Sequence, residues 1–349
     1  MVDWSIARQV ARLAAGTVEP VGDDFELTAL CEEMEQHVAG YTGLSLAAPV
    51  PPPEAVTRTE WSAVNLEALA RLLDPVAERL EARLTFAGPL AGALQTGAAA
   101  TLAAEAGLVM GYVSQRVLGQ YELSLLGGDT PPRLLFVAQN LRKAVREMEV
   151  DREPFARWIC AHELTHVFQF QGVGWLREYL SGMIRGYLTT VEVRIEGGAA
   201  GGLPSWPGAA KLVEAWRNGG LAALVQNEEQ RALMDQMQAA MAVIEGYSEH
   251  VMDAIAPGAI PDHTRLRAAM DQRRRSRSAP ERVIERLLGL NIKLKQYELG
   301  KRFCDAIAAK IGIEGLNRVW GSPEALPTAA ELEHPAGWLE RTKAAPTAA

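Results

Sequence analysis

Apolar residues recur at intervals of three and four along most of the chain, which is the period of an amphipathic α-helix. In the first part of the chain, this pattern predicts helices over residues 3–15, 25–38, 61–73 and 76–84, the last two separated by Pro75. Further along, it predicts helices over residues 151–171, 175–190 and 281–311, and a long helix that starts at Asn227. Residues 326–349 are rich in Pro and Ala and are expected to lie along the surface. The pattern therefore predicts a mainly α-helical protein.

The helix predicted over residues 151–171 has two histidines on its apolar side. That side consists of residues three or four apart, namely Phe155, Ile159, His162, His166 and Phe170. Because Trp158, Val167 and Phe168 cover other sides of the same helix, we expect it to be largely buried. A single core histidine is usually a hydrogen-bonded structural residue, but two histidines on this side of one helix favour a shared metal ion.

His162-Glu163-Leu164-Thr165-His166 has the HExxH pattern of zinc hydrolases. Residues four apart project from the same face of a helix, so His162 and His166 can hold one metal ion, and Glu163 lies beside it. In this chemistry the metal lowers the pKa of a water molecule and the glutamate acts as general base. The motif therefore predicts Zn²⁺ as the cofactor, His162 and His166 as its ligands and Glu163 as the catalytic residue.

A catalytic zinc ion usually has three protein ligands, so the two histidines need a third group. The metzincin spacing would place Gly at position 169 and His at position 172. The chain has Gln169 and Gly172 instead, which excludes that class.

A glutamate from a second helix is the other solution, and two glutamates are candidates. Glu245 lies next to the apolar side of its helix, where an ionised carboxylate needs a cation or a donor. Glu249, one turn later, would then accept a hydrogen bond from a ligating imidazole. In a competing register, Glu249 is the ligand and Asp253 supports it. Glu245 is favoured because Gly246 would let this helix approach the metal helix closely, and His250 is a weaker candidate.

Leu134-Leu135-Phe136-Val137 is the strongest strand candidate in the chain. In zinc hydrolases of this type, an edge strand near the metal often pairs with a peptide substrate. The segment is therefore predicted to be either such an edge or a short buried strand.

Residues 86–113 are apolar apart from Gln95, Thr96, Thr101 and Glu105. Most of their bulk comes from Ala and Gly, which contribute little transfer free energy compared with Leu or Ile. A tightly packed internal helix or helix pair is therefore expected there, rather than a membrane span.

The composition narrows the classes of partner. The chain has 349 residues, 48% of them hydrophobic, so a sizeable core is expected. A net charge of −8 and a pI near 5.4 disfavour binding to nucleic acids or anionic membranes. The arginines at positions 273–275 and 277 are accordingly expected to form a solvated turn. Three scattered cysteines and the absence of a basic and apolar leader predict a cytoplasmic protein without a disulfide framework.

Several segments resemble the zincin-like family DUF2342, and together they cover nearly the whole chain. They are Val2-Asp3-Trp4, Val117-Leu118-Gly119-Gln120-Tyr121, His162 to His166, Glu245 to Asp253, Gln296-Tyr297-Glu298-Leu299-Gly300 and Gly315-Leu316-Asn317-Arg318-Val319-Trp320. This combination is more specific than HExxH alone. The family includes a branch associated with coenzyme F420 biosynthesis, a label that comes from genomic association and implies no activity.

The resemblance implies a mostly helical, zincin-like metallohydrolase in which His162, Glu163 and His166 match the family's metal motif. The predicted strand adds a small β element near the metal helix. Residues 1–130 are expected to form an N-terminal helical region, and residues 131–349 the catalytic region of one continuous globular unit.

The expected function is zinc-dependent hydrolysis of a peptide or a related small amide. Tyr247 and Tyr297 are candidates for stabilising the oxyanion, although a buried structural role is the simpler interpretation of both. The alternative function is that of a noncatalytic zincin-like scaffold or binding protein linked to F420 metabolism. That alternative leaves the intact Glu163 without a purpose, since a binding module needs no general base.

Overall fold

The computed structural model describes residues 2–22, 25–84, 89–123, 131–199, 228–275 and 290–343. Most of these residues are helical, and a small sheet accompanies the helices, which confirms the predicted mainly α-helical class with a small β element.

The helices, in chain order, are α1 (Trp4–Ala14), α2 (Leu27–Thr42), α3 (Arg58–Leu84), α4 (Pro89–Ser114), α5 (Ala138–Met148), α6 (Arg152–Gly172), α7 (Leu176–Ala199), α8 (Glu228–Ala259), α9 (His263–Arg275), α10 (Leu290–Leu316), α11 (Ala329–Glu333) and α12 (Pro335–Lys343). The strands are β1 (Pro53–Val56), β2 (Gly119–Glu122) and β3 (Arg133–Val137).

The structure differs from the predicted helices at two places. Helix α3 continues through Pro75, where a break was predicted, because a proline inside a helix removes one hydrogen bond and kinks the helix without having to end it. The arginines at positions 273–275 end helix α9 rather than forming a turn. Asn227, Arg277 and residues 281–289 lie outside the described part of the chain.

The chain divides into two compact units. The first comprises Met1–Met34 and Pro49–Leu164, and the second comprises Glu35–Ala48 and Thr165–Ala349. The chain passes from one unit to the other at three points, inside α2, between Ala48 and Pro49, and inside α6. The predicted division near residue 130 stays a prediction.

The described residues of the first unit include a three-stranded sheet, and β3 is its central strand. It pairs in parallel with β1 and antiparallel with β2, where Tyr121 lies opposite Leu134. All residues from Leu134 to Val137 are fully buried, which confirms the predicted buried strand. The alternative, that this segment is a substrate-binding edge, is wrong because a strand with neighbours on both sides has no free backbone groups for a peptide. The two edges of this sheet are β1 and β2.

Helix α4 shows why residues 86–113 contain so much Gly and Ala. A Cβ atom added at Gly107 would lie 2.3 Å from the carbonyl oxygen of Ala7, so α1 and α4 pack with their backbones almost in contact. The expected tight packing is therefore present, but the helix is not fully internal, since Leu102 and Leu108 are 50% and 59% exposed. None of the described helices is both long and apolar enough to cross a membrane.

In the second unit, helices α8 and α10 cross with almost no space between their backbones. A Cβ atom at Gly246 would lie 2.2 Å from the carbonyl carbon of Gly300, and one at Gly300 would lie 1.8 Å from the carbonyl oxygen of Ala242. The close approach that Gly246 predicted is therefore real, but its partner is α10 and not the metal helix. This crossing fixes the helix that carries Glu245.

Residues 326–343 are folded, so the prediction that they lie along the surface is wrong, whereas residues 344–349 lie outside the described part of the chain. Thr328 and Glu331 form a capping box at the start of α11. In α12, Trp338 is fully buried, packs edge-on against Phe303 and donates a hydrogen bond of 2.7 Å to the carbonyl oxygen of Ala325. A single large aromatic residue thus anchors a segment whose Pro and Ala content predicted little packing.

Candidate metal centre

Helix α6 carries the HExxH motif and is packed on several sides, as predicted. Phe155, Leu164 and Val167 are fully buried, and Trp158 and Phe168 are nearly so. The helix is therefore held firmly along the whole length of the motif, which is what a precise ligand geometry requires.

The structure brings together His162, His166 and Glu245. Their potential ligand atoms all lie within 4.8 Å of one another, and Nε2 of His166 is 3.9 Å from Oε2 of Glu245. A zinc ion bound at roughly 2.0–2.1 Å by tetrahedral donors would hold those donors about 3.4 Å apart. The donor set of two imidazoles and one carboxylate therefore suits zinc, and about half an ångström must close between His166 and Glu245.

The side chains of His166 and Glu245 are both largely shielded from solvent. The side chain of His166 is 12% exposed and that of Glu245 is 25% exposed. A carboxylate and an imidazole that are this sheltered gain from a shared cation, because burial without compensation costs free energy.

Glu249, the alternative third ligand, is engaged elsewhere. Its Oε2 accepts a hydrogen bond of 2.5 Å from Nη1 of Arg267, which also lies 3.2 Å from a carboxylate oxygen of Asp253. Burial lowers the pKa of Arg267, but the carboxylates of Glu249, Asp253 and Asp271 outweigh this and hold that pKa above its ordinary value. Among the described residues, the three-residue group with metal-ligand spacing thus contains Glu245 and not Glu249.

His250, the weaker candidate, belongs to a different cluster. Its Nε2 lies 2.8 Å from the Tyr41 hydroxyl and its Nδ1 lies 2.8 Å from Oδ1 of Asp305. Lys301 joins Asp305 to Asp253 with contacts of 2.6 Å and 2.9 Å. Burial raises the pKa of Asp305, but the hydrogen bonds from His250 and Lys301 outweigh it, so that pKa is lowered overall. His250 is thus a member of a polar network that links α2, α8 and α10.

The carboxylate of Glu163 is seated against the edge strand β2. Its Oε2 accepts a hydrogen bond of 2.9 Å from the backbone N–H of Tyr121. A Cβ atom added at Gly119 would lie 2.7 Å from Cγ of Glu163 and 2.8 Å from its Oε1. The side chain of Glu163 therefore fills the space that a larger residue at position 119 would occupy.

Gln169 contacts one of the candidate ligands directly. Its Oε1 lies 2.8 Å from Nδ1 of His166, and its Nε2 donates a hydrogen bond of 2.9 Å to the carbonyl oxygen of Ile244. In the sequence, Gln169 served only to exclude the metzincin spacing, and these contacts were not predicted. A polar residue on a buried helix, one turn after a ligand, is the signal that could have revealed them.

Tyr247 and Tyr297 were the candidates for stabilising the oxyanion, and the structure describes the side chain of Tyr247. Tyr247 is fully buried and donates a hydrogen bond of 2.8 Å to Oδ1 of Asn317. Burial raises the pKa of this phenol far above its ordinary value. The structural interpretation of Tyr247 therefore holds, whereas the side chain of Tyr297 lies outside the described residues.

A mainly helical chain with HExxH on a buried helix and a glutamate beside it on a second helix has the arrangement typical of zincin-like metallopeptidases. Residues 2–339 match the sequence profile of Zincin_2, described as zincin-like metallopeptidases, and the chain belongs to this family. Membership confirms the predicted zincin-like family and fold class. The association with coenzyme F420 stays a prediction.

The chain is also similar to a protein of known structure from Chloroflexus aurantiacus. That crystal structure is described as a candidate hydrolase with a novel fold. The two chains are 30% identical with a TM-score of 0.73, and the alignment covers 99% of this chain and 100% of the other. No curated protein matches this chain significantly. The family and this relative together support a hydrolase, and the family implies a metal.

Proposed function

We propose that the protein is a zinc-dependent hydrolase that cleaves a peptide or a related amide. The observation that carries the proposal is the convergence of Glu245 with His162 and His166, because two helices contribute the His₂Glu donor set of catalytic zinc sites. Family membership and the relative from Chloroflexus aurantiacus support the same class of reaction.

In this proposal each residue has one task. His162, His166 and Glu245 would hold zinc, which would supply a Lewis acid at this position. Glu163 accepts a proton from the attacking water and then delivers it to the leaving nitrogen. The N–H of Tyr121 orients the carboxylate of Glu163 by holding one of its oxygens.

The contacts of the edge strand β2 affect whether an extended peptide can bind there as substrate. Strand β2 is paired with β3 on one side, and on its other side the N–H of Tyr121 is bonded to Glu163. A peptide that added to β2 as a further strand would compete with Glu163 for this N–H. We therefore do not require the substrate to pair with β2 as a further strand, and a small amide is as suitable a substrate as a peptide.

A hydrolysis experiment tests the proposed reaction without a known substrate. The zinc-loaded protein is incubated with a mixed library of short peptides in ¹⁸O-labelled water, and new carboxyl termini are sought by mass spectrometry. Hydrolysis places one labelled oxygen in each new carboxyl group. The wild type should generate labelled products, and Glu163→Gln should retain zinc but lose the activity by a factor of at least about 100.

Glu153→Gln is the matched control, since Glu153 lies on the same helix, is exposed and pairs with Arg157. It should keep wild-type activity. A wild-type protein that binds zinc yet labels no product, with peptides and then with small amides, would favour the noncatalytic scaffold instead.

A further inference from the structure

We infer that Gln169 is a positioning residue that selects the ring tautomer of His166 and ties His166 to the helix that supplies Glu245. This inference rests on the proposed function only in taking His166 and Glu245 as metal ligands. Gln169 acts through His166, since its contact is with Nδ1 of the ring, whereas Nε2 is the ring nitrogen that lies 3.9 Å from Glu245.

Gln169 is 0% exposed, so its amide has no access to solvent and depends on protein partners. One partner is Nδ1 of His166, 2.8 Å from Oε1. Another is the carbonyl oxygen of Ile244, 2.9 Å from Nε2. A buried amide that lost either partner would retain an unsatisfied polar group, which costs about 1–3 kcal/mol.

The carbonyl oxygen of Ile244 determines the direction of these hydrogen bonds. A carbonyl oxygen only accepts, so the side of Gln169 that faces it must be the NH₂ group. Oε1 must then face His166, and because this oxygen only accepts, Nδ1 of the ring must carry the hydrogen. In a neutral imidazole, Nε2 then carries no hydrogen and can act as an electron-pair donor. Nε2 is the ring nitrogen that lies 3.9 Å from Glu245, where the ligand atoms converge.

The same amide also couples two helices. Ile244 precedes Glu245 on α8, and Gln169 follows His166 by three residues on α6. The hydrogen bond to Ile244 therefore fixes the register of α8 against α6 at the level of the third ligand. One side chain thus sets both the tautomer of one ligand and the position of another.

Two substitutions separate these effects. Gln169→Met has a similar length but neither donates nor accepts strongly, so it removes both hydrogen bonds. Gln169→Glu keeps the acceptor for His166 and loses the donor to Ile244. Gln171→Met is the matched control on the same helix, because the Gln171 side chain accepts a 3.3 Å hydrogen bond from the N–H of Ala48 in an exposed position.

The test measures the His166 tautomer by ¹⁵N NMR of the metal-free protein and zinc affinity by competition with a chelator. Wild type and Gln171→Met should show the Nδ1–H tautomer. Gln169→Met should lose it and bind zinc about 10–100-fold more weakly, the usual effect of removing a partner of a ligating histidine. Gln169→Glu should keep the tautomer and bind zinc with intermediate affinity.

An unchanged tautomer or an unchanged zinc affinity in Gln169→Met overturns the inference. If that variant does not fold, Gln169→Glu decides, since loss of the Nδ1–H tautomer there is incompatible with the mechanism. The tautomer is measured without zinc or substrate, so a protein that shows these results but hydrolyses nothing would sink the proposed function and leave the role of Gln169 intact.

Discussion

The general base of the proposed reaction depends on two backbone features of β2. Glu163 accepts the N–H of Tyr121, and the missing side chain of Gly119 gives room for its Cγ and Oε1. A general base must lie within hydrogen-bond reach of the proton that it removes, so a shift of this carboxylate by an ångström has a direct effect on turnover.

Gly119→Ala should therefore reduce turnover while leaving zinc binding intact. The new methyl group would meet Glu163 at 2.7–2.8 Å and push its carboxylate away from Tyr121. We expect a loss of about 10–100-fold in kcat/KM, the order of effect of a misplaced catalytic group, with zinc content unchanged. Gly182→Ala is the control, because a Cβ atom there meets nothing within 4 Å. Equal activity of Gly119→Ala and wild type would contradict the proposed seat of Glu163.

For individual residues, the sequence revealed the HExxH motif but not the residues that hold the motif side chains in place. His162, Glu163 and His166 could be named because their spacing along one helix is fixed by the 3.6-residue period. Gly119 and Tyr121 could not be, since 42 residues separate Tyr121 from Glu163 and no local pattern sets their approach. The choice of Glu245 over Glu249 depended on burial, which a sequence shows only through the apolar side of a helix.

Helices α8 and α10 are positioned by a glycine contact one residue after Glu245. At Gly246 and Gly300 the two backbones leave no room for a side chain. The position of Glu245 therefore depends on α10, although none of the described side chains of α10 belongs to the candidate centre.

Gly246→Ala should destabilise the protein, and the matched change Gly258→Ala should not. Both residues lie in α8, but a Cβ atom at Gly246 would be 2.2 Å from the backbone of Gly300, whereas one at Gly258 meets nothing within 4 Å. Overpacking of this kind costs about 1–3 kcal/mol or more, while an unhindered Gly→Ala change in a helix gains up to about 1 kcal/mol. Urea unfolding of the two variants measures the difference. Equal stability of both would show that the helices separate without cost.

The polar network of Asp305, His250 and Lys301 predicts a loss of stability in acid. The pKa of Asp305 is lower in the folded protein than its ordinary value of 3.8. A carboxyl group of this kind contributes stability that is fully present above its unfolded pKa and is lost as pH falls through its folded pKa. Asp305→Asn should therefore reduce the free energy of unfolding at neutral pH and weaken its decrease below pH 3.8. Unfolding curves with the same pH dependence as wild type would contradict this.

At the scale of the whole molecule, the helical period predicted the fold class because it is repeated in nearly every segment. The exceptions were segments whose packing partners are distant in sequence. Residues 326–343 fold around Trp338, which packs on Phe303, and helix α4 gains its tight contact from α1. In both cases composition was a weak guide, because tertiary contacts decided whether a segment is buried.

The proposed reaction requires one metal site shared by helices α6 and α8. Zinc measured by elemental analysis in the purified, zinc-equilibrated protein tests this most directly. Wild type should hold about one zinc ion per chain, and His162→Ala, His166→Ala and Glu245→Gln should each lose most of it, while Glu249→Gln keeps it. Unchanged zinc in the histidine and Glu245 variants would contradict the account, and zinc lost from Glu249→Gln but kept in Glu245→Gln would move the third ligand to Glu249.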